Sequence, residues 1–124
     1  MTKSIVTIPT SYLVLKPDGT RIEGSVDWPE QPAYELIQPV VRPLISSLRP
    51  DGPYSWFERV AVIHDGKHAD MFVDEHGIQR GLPRNEAATA IYRAGWLSQH
   101  PGTDPETLNP IFGDAVLFLR RVWF

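Results

Sequence analysis

The chain contains no cysteine, which excludes disulfides, thiolate nucleophiles and thiolate metal sites. It has no apolar run approaching the roughly 20 residues a membrane-spanning helix needs. The amino-terminal stretch lacks a basic segment followed by an apolar core, so the expected compartment is the cytoplasm and no membrane partner is expected. Nucleophile elbows, phosphate-binding loops and paired-glycine cofactor loops are all missing. No catalytic residue, metal site or cofactor is therefore assigned. Neither sign of charge is in large excess. A net charge of −3 argues against nucleic acid as a partner. Repeats and low-complexity tracts are absent, and 124 residues suit one domain, 1–124, with one core.

The chain is rich instead in apolar residues and proline. Of the residues, 42% are hydrophobic and 10% aromatic, with 12 prolines. The proline share exceeds the usual value of about 5%. With so many aromatics, these prolines predict fixed corners rather than disorder.

The stretch from Asp70 to Gly95 organises the chain. Met71-Phe72-Val73 is an apolar run suited to a buried strand. Asp74-Glu75-His76-Gly77 interrupts it as a polar turn, and Ile78 to Arg80 is expected to form a brief return strand. Pro83 disfavours helical geometry at Leu82 and keeps the Gly81-Leu82-Pro83 corner extended. Asn85 stands at an N-cap position, with Glu86 at the positive end of the next helix. Ala87, Ala90, Ile91 and Ala94 recur on one helical face, and Gly95 offers a left-handed exit.

Elsewhere the pattern is punctuated by turns. Ile5, Val6 and Ile8 suggest an edge strand ended by Pro9. Tyr12–Lys16 and Thr20–Val26 flank Pro17-Asp18-Gly19 as a hairpin, and Trp28 is available to close over the core. Apolar residues from Ala33 to Leu48 follow one helical face, yet Pro39 and Pro43 lie inside it. An interior proline costs about 3 kcal/mol, so this helix, beginning near Pro32, is expected to kink or break near Pro39. Trp56–Ile63 and His68–Val73 read as strands joined at Asp65-Gly66. His100 to Pro110 is a loop. Phe112 to Phe124 is apolar on both faces as far as Leu119, which suggests a central strand. The order is hairpin, helix, hairpin, helix, strand. It predicts an α+β fold: a mainly antiparallel sheet with two helices on one face, a β-grasp-like arrangement being one topology that fits.

The string V-D-E-x-G-x-x-x-G-L-P-x-N-x-x-A-T-x-x-Y, followed by P-I-x-G-D-A-V-L, resembles a family of short phage, prophage and plasmid proteins classed as a domain of unknown function. Val73, Asp74, Glu75, Gly77, Gly81, Leu82, Pro83, Asn85, Ala88, Thr89, Tyr92, Gly113 and Asp114 carry the resemblance. It implies a mobile-element origin and little chemistry. A small non-enzymatic binding protein that modulates a host protein is the leading expectation.

Three clusters bear on chemistry. His64, Asp65, His68, Asp70, Asp74, Glu75 and His76 crowd together, as zinc or nickel ligands do. A two-residue turn at Asp65-Gly66 would set His64 opposite Lys67 and His68 opposite Ile63, pointing the imidazoles to opposite faces. Asp74 and Glu75 would likewise point apart, which suits neither acid–base catalysis nor a shared proton. Arg80 and Arg84 flank the Gly-Leu-Pro corner near the helix N-terminus. That corner is the alternative function, a small-anion or nucleotide site; an enzyme of unknown reaction ranks third. The expected binding set is thus Asp74, Glu75, His76, Arg80, Arg84 and Asn85, the charged members exposed and close together. Gly77, Gly81, Leu82, Pro83, Thr89, Tyr92, Gly113 and Asp114 are expected to hold that surface in shape. The apolar ending, Val122-Trp123-Phe124, either docks on its own core or forms a homodimer through the C-terminal strand.

Overall fold

A computed structural model describes residues 6–124. Among these residues five strands form one antiparallel sheet in the order β2-β1-β5-β4-β3. They are β1 (Ile8–Leu15), β2 (Arg21–Trp28), β3 (Phe57–His64), β4 (Lys67–Asp74) and β5 (Ala115–Phe118). Helix α1 (Tyr34–Leu44) joins β2 to β3, and α2 (Glu86–Gln99) lies between β4 and β5. The fold is α+β, with the expected order of elements.

Both hairpins form at the turns the sequence marks. Asp65 and Gly66 take positive φ of 52° and 75°, the handedness that matches the twist of paired strands. His64 accordingly pairs with Lys67 and Ile63 with His68. The first strand differs from expectation at its start. Ile5 lies outside the described residues, and Pro9 does not end a strand but sits within β1, paired with Asp27. Only Tyr12–Leu15 of β1 pairs with β5. Pro9 is therefore in the stretch of β1 that has a neighbour on one side only, where a missing N–H is tolerated.

The helices lie on opposite faces of the sheet, not on one. Alternation along the two inner strands requires this. Ala69, Met71 and Val73 of β4, with Ala115 and Leu117 of β5, pack in one cluster with Ala88, Ile91 and Tyr92 of α2. Phe72, Val116 and Phe118 point the other way and pack with Ile37 and Val41 of α1, Ile45 and Trp28. Strands apolar on both faces need cover on both. Each of the larger side chains contributes about 1.5–3 kcal/mol when fully buried.

Helix α1 runs unbroken through Pro39 and Pro43. Ile37, Val41 and Ile45, spaced four apart, are all within 1% of complete burial. The carbonyls that lose a helical donor to the prolines belong to Glu35 and Pro39, both exposed, where water can bond them. In α2 the inward residues are Ala88, Thr89 and Gly95, whereas Ala87, Ala90 and Ala94 are exposed. Gly95 is not an exit: the helix continues to Gln99. A Cβ there would lie 2.7 Å from the backbone nitrogen of Ile63, so glycine permits α2 to rest on β3.

The C-terminal strand ends at Phe118, and residues 119–124 dock as an irregular tail. Val122 is wholly buried, and the Trp123 ring stands edge-on to Tyr34 with centroids 5.9 Å apart. Asp70, fully buried in β4, accepts hydrogen bonds from the Val122 and Trp123 amides at 2.8 and 2.9 Å and from Arg59 Nε at 2.8 Å. Arg120 donates to Thr10 Oγ1 and to the carbonyls of Pro29 and Glu30. Both edges of β5 are occupied, by β1 and β4, so it has no free edge for a homodimer. Among the described residues no helix is long and apolar enough to cross a membrane.

Candidate functional site

The residues expected to form a charged surface divide into two groups. Asp74, at the end of β4, is buried and saturated. It accepts from Ser47 Oγ at 2.6 Å, Arg80 Nη1 at 2.9 Å and the His76 amide at 2.8 Å. Arg80 also donates to the Ser47 carbonyl at 2.8 Å, and its guanidinium lies 4.5 Å over the Tyr54 ring. Asp74 is thus no exposed group, and Arg80 is largely enclosed. Ile78 to Arg80 forms consecutive turns rather than a return strand.

Asn85 is likewise interior. Its Oδ1 accepts from the Ala88 amide as an N-cap, while Nδ2 donates to the carbonyls of Leu15 and Gly113 at 2.9 and 2.8 Å. Thr89 Oγ1 donates to the Asn85 carbonyl and accepts from Ile111 N–H. Asn85 therefore belongs with the residues that hold the surface in shape, as do Thr89 and Gly113. Gly77 joins them: a Cβ would meet the Phe112 carbonyl at 2.7 Å. Leu82 packs against Gly113, whose amide donates to the Pro83 carbonyl.

Arg84 is exposed and paired with Glu86 at 2.8 Å. The groove beside the Gly-Leu-Pro corner, about 500 Å³, is lined by Lys16, Asp18, Ser46, Ser47 and Asp114 among others. Asp114 accepts there from Lys16 Nζ at 3.0 Å, Ser46 N at 2.9 Å and Ser46 Oγ at 2.5 Å. Burial pushes its carboxyl upward, but the Ser46 and Lys16 hydrogen bonds outweigh that and hold it below the ordinary value. The groove carries one lysine, already paired, against two aspartates.

The accessible part of the surface lies beside it. Trp56 and Tyr54 are 45% and 39% exposed. Arg42 from α1 sits 5.2 Å from the Trp56 ring centre and donates to the Pro50 carbonyl at 3.0 Å, tying the 49–56 loop to the helix. The His76 ring stands edge-on to Tyr54 at 5.6 Å, and the Glu75 amide donates to the Trp56 carbonyl. Arg42, Tyr54 and Trp56 were not among the expected site residues. Two aromatics with a single residue between them, after a proline- and glycine-rich loop, were the available signal.

On the α2 side of Glu75 is a cleft of about 350 Å³. Glu58, Glu75, Gln79, Tyr92 and Asn109 line it, with Val60, Ile78, Ile111 and Phe112 as apolar wall. Burial, followed by the negative charge of Glu75, raises the Glu58 carboxyl above its ordinary value; His76 acts in the opposite direction. Among the described residues, no group of three or more His, Asp or Glu side chains is placed to hold a metal ion. No family model, curated protein or solved structure matches the chain.

Proposed function

We propose that the chain is a small non-enzymatic binding protein that docks on a protein partner through Trp56, Tyr54 and Arg42. The single observation that carries this is the pair of exposed aromatics held in place by cations, Arg42 against Trp56 and Arg80 against Tyr54. Tyrosine, tryptophan and arginine dominate binding hot spots. Rings already fixed lose little freedom on association. His76 borders the Tyr54 ring and supplies a polar contact at the edge. The resemblance to phage and plasmid proteins supports a host protein as the partner, with modulation of that protein as the outcome. An anion site at the Gly-Leu-Pro corner has less support, because Arg80 is bonded to Asp74 and Arg84 to Glu86.

A photo-crosslinking residue at position 54 or 56, expressed in a bacterial host, tests the proposal. Both positions should yield one discrete protein adduct, and position 90 on the exposed side of α2 should yield none. Arg42→Glu should remove the adduct. Equal labelling at all three positions, or none at 54 and 56, would refute it.

A further inference from the structure

We infer that the cleft between β3, the 75–79 turn, α2 and the 109–112 segment binds a small organic cation: an alkylammonium or guanidinium group on a short apolar stem. This does not depend on the aromatic platform and assigns a separate site.

Three features of the cleft converge. Glu58 and Glu75 both line it, and among the described residues neither carboxylate has an ion pair or a side-chain hydrogen bond. The contrast with Asp70, Asp74 and Asp114 is direct, since each of those accepts at least three donors. The nearest cation along β3, Arg59, pairs instead with Asp70 at 2.8 Å. Second, part of the wall is carbon, from Val60, Ile78, Ile111 and Phe112 with the Tyr92 ring, beside the polar Arg59, Gln79 and Asn109. Such a wall accepts methylenes and gives an inorganic ion little in exchange for its water. Third, about 350 Å³ falls within the range of small-molecule sites, roughly 300–1,000 Å³, and far exceeds one metal ion.

The electrostatics agree. Burial and the Glu75 charge make Glu58 harder to ionise. An incoming cation offsets that repulsion and favours the ionised form. The charged and titratable groups around Glu58 are Asp74, already bonded, Glu75, His76, Tyr92 and Arg59. Affinity should therefore rise with pH as Glu58 loses its proton. Gln79 and Asn109, at the rim, carry amide oxygens able to accept from an ammonium or guanidinium.

Titration of the isotope-labelled full chain with agmatine and with 1,5-diaminopentane, at constant ionic strength, tests the inference. Amide resonances of Glu75, Ile78, Tyr92 and Asn109 should shift saturably, with Kd below about 1 mM. Glu58→Gln and Glu75→Gln should each weaken binding about tenfold while keeping the native spectrum, since neither side chain holds another segment in place. Binding to wild type should weaken as pH falls through the Glu58 titration, and in Glu58→Gln that dependence should shrink. Four results would overturn it: no saturable shift, unchanged affinity in both variants, calcium chloride shifting the same resonances at lower concentration, or a capped arginine tripeptide binding more than tenfold tighter than agmatine. The last would make the cleft a peptide subsite.

Discussion

Asp74 and Glu75 are neighbours in sequence and opposite in use. The Asp74 carboxylate is enclosed by Ser47, Arg80 and the His76 amide. Glu75 opens onto a cleft whose lining cation, Arg59, is already paired with Asp70. Asp70 and Asp114 follow the first pattern and Glu58 the second. The aspartates connect segments distant in the chain: Asp70 reaches Val122, and Asp114 reaches Ser46 and Lys16. The same functional group is a structural tie where backbone and side-chain donors converge on it. Where they do not, it stays open to solvent or to a ligand. What separates the two is the number of donors, not the charge.

The largest effect expected from breaking this contrast is at Asp70. Asp70→Ala leaves Arg59 without its carboxylate and releases the Val122 and Trp123 amides. A loss of about 3–5 kcal/mol, mostly from two amide hydrogen bonds to a charged acceptor at about 1.5–3 kcal/mol each, should appear in denaturant unfolding. Asn85→Ala comes next. A cap alone is worth about 1 kcal/mol, but the Leu15 and Gly113 carbonyls also lose a donor, at about 0.5–1.5 kcal/mol net for each hydrogen bond. Unfolding should show roughly 2–4 kcal/mol in total; a value near that of the cap alone would mean those carbonyls find other partners.

A pH comparison of two isosteric variants sharpens the contrast. The folded-state pKa of Asp114 is depressed below 3.8, so its contribution is present above that value and lost as pH falls through the lowered one. Asp114→Asn should be less stable than wild type at neutral pH, with the difference closing in acid. Glu58 is raised above 4.5, so stability is greater below that value and lost as pH rises through the raised one. Glu58→Gln should match wild type in acid and exceed it slightly at neutral pH. Melting temperature across pH reads both. The smallest effect belongs to the surface. Glu75→Lys should change stability by no more than about 0.5 kcal/mol, and a larger loss would place Glu75 among the ties.

Local signals in the sequence were legible and distant ones were not. Asp65-Gly66 set the register of β3 with β4, Asn85 marked the cap of α2, and an apolar run from Phe112 marked the strand that became β5. Each depends on a few adjacent residues. That two-faced run also implied cover on both sides of the sheet, and an arrangement with both helices on one face is incompatible with it. Pro39 does not break α1, because burial of Ile37, Val41 and Ile45 outweighs a local helix cost. Asp74 was expected at the surface because its partner Ser47 is 27 residues away. The Glu58 cleft had no signal at all, since its far wall arrives with residues 109–112. No spacing in the chain anticipates that approach.

The position of β5 has a kinetic consequence. It is the last strand in chain order yet the middle one in the sheet, and Leu15 pairs with Ala115 across nearly the whole sequence. The two hairpins are local and can close within microseconds, but each then presents an open edge until β5 arrives between them. Such long-range pairing slows folding, because loop closure precedes the contacts that compensate for it. A nascent or truncated chain lacking residues 115–118 would display two unpaired edges, β1 and β4, that match an extended strand in register and in apolar pattern. Supplied separately as a peptide, the Ala115–Phe118 segment and its docked tail should complete the sheet in such a chain, much as donor strands complete other open sheets.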